Sequence, residues 1–400
     1  MSLQSEAETS TGPARPTRAL GTAALSFFLI TLNASMVTTA LPTIGRDLAA
    51  GAALVWVLTG HSLVFAVFLL PAGSLSDRIG ARRAFMLGMA TFTGASVVCA
   101  LAGDIDVLLG ARAVQGAAAA TILPSGLVLL NAVIPDPLLR AKAVGQWSAA
   151  GAVALVVGSP AGGAVTTIFG WQGIFWLNVP VGLLALVAAL GVPETGRQSH
   201  VLPPRGGGSR LIRQPSVVVS TVSGFAVNFA SYGAIFVVTL FLQQLMGRSA
   251  WATGLVFVPM TVLIIPANLL AGRLTSRYGA RRIMVLGQLL MTSGLLGLCS
   301  ADAGVSLWVV IGWLLPIGVG AGLVAPAMTT MMLDGMPAER GGFGAGLLNA
   351  SRQVGSGASA ALFGALLSGV GIFVTGLRAS LLLAAIVVIL SAILGSRRWA

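Results

Sequence analysis

Acids, lysine, histidine and cysteine are all scarce in this chain. Its 400 residues hold eleven Asp+Glu, one Lys, two His and two Cys. Charged residues make up 8% of it, against roughly 25% in ordinary soluble domains. So few titratable groups leave no nucleophile–base set and no metal-ligand spacing, which argues against an enzyme and against a bound metal or cofactor. Cys99 and Cys299 fall in corresponding apolar segments of the two halves, so a disulfide would have to cross between halves. Buried free thiols are expected instead. A cleavable signal peptide is not expected either. Residues 1–18 are polar, with Glu6, Glu8, Arg15 and Arg18, and the first apolar run is a full span.

What the chain has in excess is apolar sequence: 56% hydrophobic residues and a mean hydropathy of +0.93. No soluble core needs this much, which makes it a polytopic membrane protein embedded in a lipid bilayer. Runs of spanning length fall at about 19–41, 54–72, 84–102, 107–133, 144–168, 173–192, 216–241, 251–271, 283–301, 305–332, 343–369 and 379–396. Twelve spans place both termini on one side.

The net charge of +12 would raise nucleic acid as a partner in a soluble protein, but the positions of the charges give a different account. With the N-terminus inside, 18 of the 23 Lys+Arg fall in cytoplasmic segments and three (Arg46, Arg248 and Arg378) in outer loops. Arg112 and Arg352 fall inside spans. This split is topology, with both termini cytoplasmic, and no nucleic acid is called for. The longest polar stretch, 193–215, holds Pro, Gly and four Arg and nothing to bury. It reads as a cytoplasmic linker. The expected layout is a tail at 1–18, a six-helix bundle at 19–192, the linker, a second bundle at 216–396 and a tail at 397–400.

The chain also repeats. Residues 73–83 read GSLSDRIGARR and residues 272–282 read GRLTSRYGARR, identical at seven of eleven positions at an offset of 199 residues. A half-length repeat in an apolar chain predicts two homologous bundles, each with this loop between its second and third helices. Gly73 and Gly80 suit a tight turn or close helix approach, and Arg78, Arg82 and Arg83 anchor helix ends.

These features resemble the major facilitator superfamily, and within it the drug:proton antiporter branch. The match is carried by the paired loops and by LNASMVTTALPTIGRDL, LLGARAVQGAAAA, GAVALVVGSPAGGAV, FGWQGIFWLNVPVG and LLNASRQVGSG, in order over residues 20–396. The similarity implies an all-α fold of twelve helices in two pseudo-symmetric bundles. It also implies a bacterial cytoplasmic-membrane exporter of small hydrophobic drugs or metabolites, working by alternating access with proton antiport. Departures accompany the match. Many relatives by motif have fourteen helices, and 23 linker residues are too few for the extra hairpin. The first span carries Asn33 where the branch has Asp, the second carries His61 where it has Tyr, and in Gly158-Ser159-Pro160 the proline comes one residue late.

All eleven acids map to loops, tails or span ends, so no carboxylate is placed deep in the membrane. Asn33, His61 and Arg112 lie at similar depth, roughly 8–10 Å from the outer side for the last two at 1.5 Å per residue. Arg112 is expected to face an aqueous cleft; by resemblance it joins a proton relay with Gln115 and Gly116 beside it. The alternative is an Arg112 that snorkels or hydrogen-bonds backbone for structure. Arginine does not release a proton at usable pH and histidine does, so His61 either titrates in place of the missing acid or is a neutral interhelical hydrogen-bonder. Polar stripes at helical spacing and the resemblance together make Asn33, Asn228, Tyr232, Asn349, Arg352 and Gln353 the substrate-cavity candidates. Gly158, Pro160, Gly162 and Gly163 form the fifth-span antiporter motif, which in the family packs against the other half. Asp77 is the gating acid by resemblance, set near the start of the eleventh span.

With in-span cations and no deep acid, neutral, zwitterionic or anionic substrates are expected over lipophilic cations. Protons are the expected coupling partner and a monomer the expected state. The competing readings are an uncoupled uniporter or metabolite uptake carrier of the same fold and, from another class, a membrane-embedded sensor or receptor. A sensor usually adds an output domain, for which tails of about 18 and four residues leave no room.

Overall fold

The computed structural model describes residues 14–134, 136–194, 213–302, 304–336, 341–369 and 373–397. Twelve long α-helices account for nearly all of them: α1 (Ala14–Asp47), α2 (Trp56–Ile79), α3 (Ala81–Ala100), α4 (Ile105–Val133), α5 (Pro137–Phe169) and α6 (Gln172–Leu190), then α7 (Pro215–Leu240), α8 (Ala250–Tyr278), α9 (Ala280–Leu298), α10 (Leu307–Asp334), α11 (Gly341–Gly369) and α12 (Phe373–Ser396). No strand occurs among the described residues. Helices are what an apolar solvent permits, because each satisfies its backbone groups internally. Ten described segments are long and apolar enough to cross a membrane. The two helices outside that set are α9, which opens on Arg281 and Arg282, and α11, which carries the Asn349–Arg352–Gln353 stripe. Several helices outrun their apolar runs; α1 begins at Ala14 and ends at Asp47, so its ends extend past the hydrocarbon-length core of 19–41.

The half-length repeat is realised in the packing. In the first half α1 packs on α5 and α6, α2 on α4, and α3 on α4 and α6. In the second half α7 packs on α11 and α12, α8 on α10, and α9 on α10 and α12. Each contact in one list maps onto one in the other. The turns match too. Gly80 links α2 to α3 with φ 92° and ψ 145°, and Gly279 links α8 to α9 with φ 85° and ψ 145°. A positive φ is accessible to glycine without the Cβ penalty, which is why a single residue turns the chain at both places. Successive helices reverse direction, so the start of α1, the end of α12 and both GARR turns share one face, here called the basic face.

The exteriors of the bundles are apolar, with Val67, Leu184, Val187, Leu269, Leu390 and others exposed, as suits side chains that meet lipid. Between the bundles two seams form, α5 on α8 and α2 on α11. They are equivalent under the repeat.

Candidate functional site: a buried polar line and two glycine seams

Arg112 stands seven residues into α4 and is 1% exposed. It does not face an open cleft, contrary to the sequence expectation. Its Nε donates to the Val57 carbonyl of α2 at 3.1 Å and its Nη1 to Gln115 Oε1 at 2.8 Å. One turn apart on α4, Arg112 and Gln115 lie on the same helix face, so the amide reaches the guanidinium without strain. A buried cation is tolerated when its donors are spent in this way.

The line continues across three more helices. Gln115 Nε2 donates to Ser96 Oγ of α3 at 2.7 Å, and Ser96 donates to the Phe92 carbonyl at 2.8 Å. Asn178 of α6 donates from Nδ2 to Asn33 Oδ1 of α1 at 2.9 Å and to Ser96 Oγ at 3.4 Å. Asn33, Ser96, Gln115 and Asn178 are fully buried. The Asn33 Nδ2 and Asn178 Oδ1 atoms have no partner among the described residues. Asn33 therefore turns into its own bundle and does not line a cavity. The sequence pattern does not single out Ser96 and Asn178 as site residues, although Asn178 lies within FGWQGIFWLNVPVG and is the sole amide of the 173–192 run.

His61 joins the line from α2. Its Nδ1 is 3.3 Å from the Arg112 carbonyl. A carbonyl only accepts, so Nδ1 carries the proton and Nε2 is the basic nitrogen of the neutral ring. Gly116 makes this contact possible: a Cβ there would lie 2.5 Å from the His61 carbonyl.

The second bundle has a smaller buried cluster on the equivalent helices. Gln288 of α9 donates from Nε2 to Ser223 Oγ of α7 at 3.1 Å and to Ser391 Oγ of α12 at 2.8 Å. Both clusters tie the first, third and sixth helices of a bundle together. The first-bundle cluster lies toward the face opposite the basic one; the second lies toward the basic face.

The two seams also close on the face opposite the basic one. A Cβ on Gly163 of α5 would lie 2.4 Å from the Ala250 carbonyl of α8, and one on Gly254 of α8 would lie 2.4 Å from the Ser159 carbonyl beside Pro160. On the other seam Thr59 Oγ1 of α2 donates to the Gly357 carbonyl of α11 at 3.1 Å, and Gly364 sits against Val55. This seam reaches as far as Ala350, which packs on the first-bundle core. A third bridge runs from Gln243 Nε2, in a π-helical turn that continues α7, to the Thr39 carbonyl of α1 at 3.0 Å. Within the fifth-helix motif, Gly158 and Gly162 pack on Ser35 and Met36 of α1, and Gly163 with Pro160 meets the other bundle.

Of the remaining candidates, Asn228 is nearly buried and donates to the Gly224 carbonyl at 3.1 Å, while Tyr232, Asn349, Arg352 and Gln353 are half-buried. In the GARR turn Arg82 Nη1 donates to the Val192 carbonyl at 3.1 Å, and the Arg82 N–H donates to Glu194 Oε1 at 3.0 Å. Glu194 also stands 3.8 Å from Arg83 Nε. In the second copy Arg281 donates to the Gly395 carbonyl. Both arginines thus clamp the third helix of a bundle to the end of its sixth, where helix carbonyls are unpaired. Gly73 is open to substitution, with nothing within 4 Å of a Cβ, and Arg78 is exposed. The Asp77 side chain, most of the linker and the extreme termini lie outside the described residues. Cys99 and Cys299 are free thiols.

Comparison with known proteins places this architecture. The chain is 30% identical over 400 residues to the methylenomycin A resistance protein of Streptomyces coelicolor, covering 86% of this chain and 84% of that one. It is 28% identical over 411 residues to the tetracenomycin C resistance and export protein of Streptomyces glaucescens, covering 88% and 76%. The fold superposes on a crystal structure of a D-xylose–proton symporter with a TM-score of 0.81 at 14% identity, over 96% of this chain and 98% of that one. Residues 23–360 match the sequence model of the Major Facilitator Superfamily, and the chain, a multi-pass membrane transporter by its relatives and its fold, belongs to that family.

Proposed function

We propose that the protein is a monomeric secondary exporter of small hydrophobic compounds in a bacterial cytoplasmic membrane, rocking its two bundles about a site near the midplane in exchange for protons. The observation that carries this reading is the pairing of seams: α5–α8 and α2–α11 are equivalent under the repeat and close the same face. Paired seams of that kind are what a two-bundle rocker must make and break. The arginine distribution supports a cytoplasmic basic face, which makes the sealed face the outer one. The resistance and export functions in the relatives' names support outward transport. Asp77 remains the proposed gating acid, so Asp77→Asn retains membrane insertion and loses turnover.

His61 is the proposed proton carrier. Its ring sits on the Arg112 carbonyl, two residues from the Thr59 bridge to α11. A proton gained there sets a second cation beside Arg112 and bears on α2 where it meets the opposite bundle. A second reading, an uncoupled carrier, draws on the Asn33–Asn178 pair: amide meets amide, and neither titrates. Respiring everted vesicles with a pH-sensitive dye decide between them. Dissipation of the gradient by added drugs, absent from empty-vector vesicles and altered in pH profile by His61→Gln, is the expected result. Radiolabelled flux without dissipation establishes the uncoupled carrier, and no flux of any compound overturns export.

A further inference from the structure

The two arginines inside the membrane are treated differently. Arg112 is enclosed, with donors committed to the Val57 carbonyl and Gln115. Arg352 is half-buried, its stem packed on Gly224 of α7, and its guanidinium makes no hydrogen bond or ion pair with any described residue. The face it occupies follows from its neighbours on α11. Gly355 packs on Phe225 of α7 and Gly357 on Ser62 of α2, while Val354 and Leu362 are exposed. Arg352, Asn349, Gln353 and Ser356 lie on the side away from Val354 and Leu362, between the α7 and α2 contacts, and so look into the space between bundles. Tyr232 of α7 is within electrostatic reach of Arg352.

Among the described residues no acid is placed to neutralise Arg352 from within the membrane. The described acids Asp47, Asp104, Asp106, Asp136, Glu194, Asp302 and Asp334 all stand at helix ends or in loops. A guanidinium at this depth calls for a counter-charge. Its planar fork suits a carboxylate or phosphate held by two parallel hydrogen bonds.

We propose that Arg352, assisted by the Tyr232 hydroxyl, is the binding site for an anionic group on the transported compound: a carboxylate, phosphate or acidic phenol on an otherwise hydrophobic molecule. Asn349 and Gln353 flank the site with neutral hydrogen-bonding groups. This deepens the export reading and rests on it for the word "transported", but binding is measured without transport.

The test uses the full chain in phosphatidylcholine nanodiscs and two dyes that share a xanthene skeleton, anionic fluorescein and a cationic rhodamine ester, followed by fluorescence polarisation. Wild type is expected to bind fluorescein roughly tenfold or more tighter than the rhodamine, about 1.4 kcal/mol per tenfold. Arg352→Gln abolishes that preference by weakening fluorescein alone. Arg352→Lys keeps the charge but loses the fork and falls between the two, and Tyr232→Phe weakens fluorescein by a smaller factor. If Arg352→Gln does not fold, the Lys and Phe variants decide. Unchanged fluorescein affinity in the folded variants, or equal wild-type affinity for both dyes, overturns the proposal. The same titration in discs containing phosphatidylglycerol separates cargo from lipid: loss of fluorescein binding there assigns the site to a headgroup and overturns the cargo assignment. Vesicle flux of both dyes keeps the two readings apart. Flux without charge preference refutes the anion site and leaves export standing; anion-selective binding with no flux of either dye refutes export and leaves the site.

Discussion

Adding one methyl group at Gly254 tests whether the α5–α8 seam belongs to one conformation or to the fold as a whole. A Cβ there meets the Ser159 carbonyl at 2.4 Å and Pro160 Cα at 2.9 Å. Both are backbone atoms, so no side chain can swing aside, and the helices must part by on the order of an ångström to restore ordinary contact. Overpacking of this kind costs roughly 1–3 kcal/mol. If the seam is made only in the sealed state, that cost falls on one side of the equilibrium and shifts it by about five- to 150-fold. Gly254→Ala should then raise the rate at which an impermeant maleimide, added from outside, labels a cysteine placed at Ser356, in a background with Cys99 and Cys299 replaced. Gly163→Ala, which meets the Ala250 carbonyl at 2.4 Å, should do the same. Gly60→Ala on α2 has nothing within 4 Å and is the neutral control. A variant that loses thermal stability without gaining label would show that the seam is fixed packing, and the rocking account would fall.

Three further outcomes follow from the same geometry. Arg112→Ala strands Gln115 Oε1 in a buried site, while the Val57 carbonyl loses its second donor but keeps its place in the α2 ladder, so Tm in detergent should fall by an amount corresponding to about 1–3 kcal/mol; Arg112→Gln, which can still donate, should recover part of it. Gly80→Ala should cost more than Gly279→Ala: both positions have positive φ, but only at Gly80 would the Cβ meet a neighbour, Glu194, so the two Tm values must separate in that order. Asn33→Asp removes the unpartnered Asn33 N–H while keeping the acceptor for Asn178; the variant should fold, and its transport should acquire a pH dependence different from wild type, whereas an identical profile would show that α1 takes no part in coupling.

The architecture was legible because its signals are coarse and redundant. Twelve apolar runs, an arginine bias and a repeat ending in the same Gly-Ala-Arg-Arg each point to two bundles, and the turn glycines have nearly identical backbone angles in the two copies. The rare polar residues Asn33, His61 and Arg112 were legible for the same reason, since polarity inside a span stands out. Their orientation was not. Whether Arg112 turns to a cleft or into its bundle depends on where Val57 of α2 and Ser96 of α3 fall against α4, which the period of α4 alone does not encode. Ser96 and Asn178 do not stand out in sequence because one serine or asparagine in a span looks like ordinary interhelical glue; only the meeting of α1, α3, α4 and α6 makes them a line. The closed face was equally hidden, since it is a relation between bundles and leaves no mark on either half alone.

Paired distance measurements with spin labels on the full chain test alternating access most directly. One pair spans the sealed face at Phe169 and Arg248, and the other spans the basic face at the repeat-equivalent Arg78 and Arg277; all four positions are exposed. Alternating access requires opposite changes when a transported drug or the pH is varied: as the Phe169–Arg248 distance lengthens, the Arg78–Arg277 distance shortens. Distances that stay fixed together, or lengthen together, would contradict it.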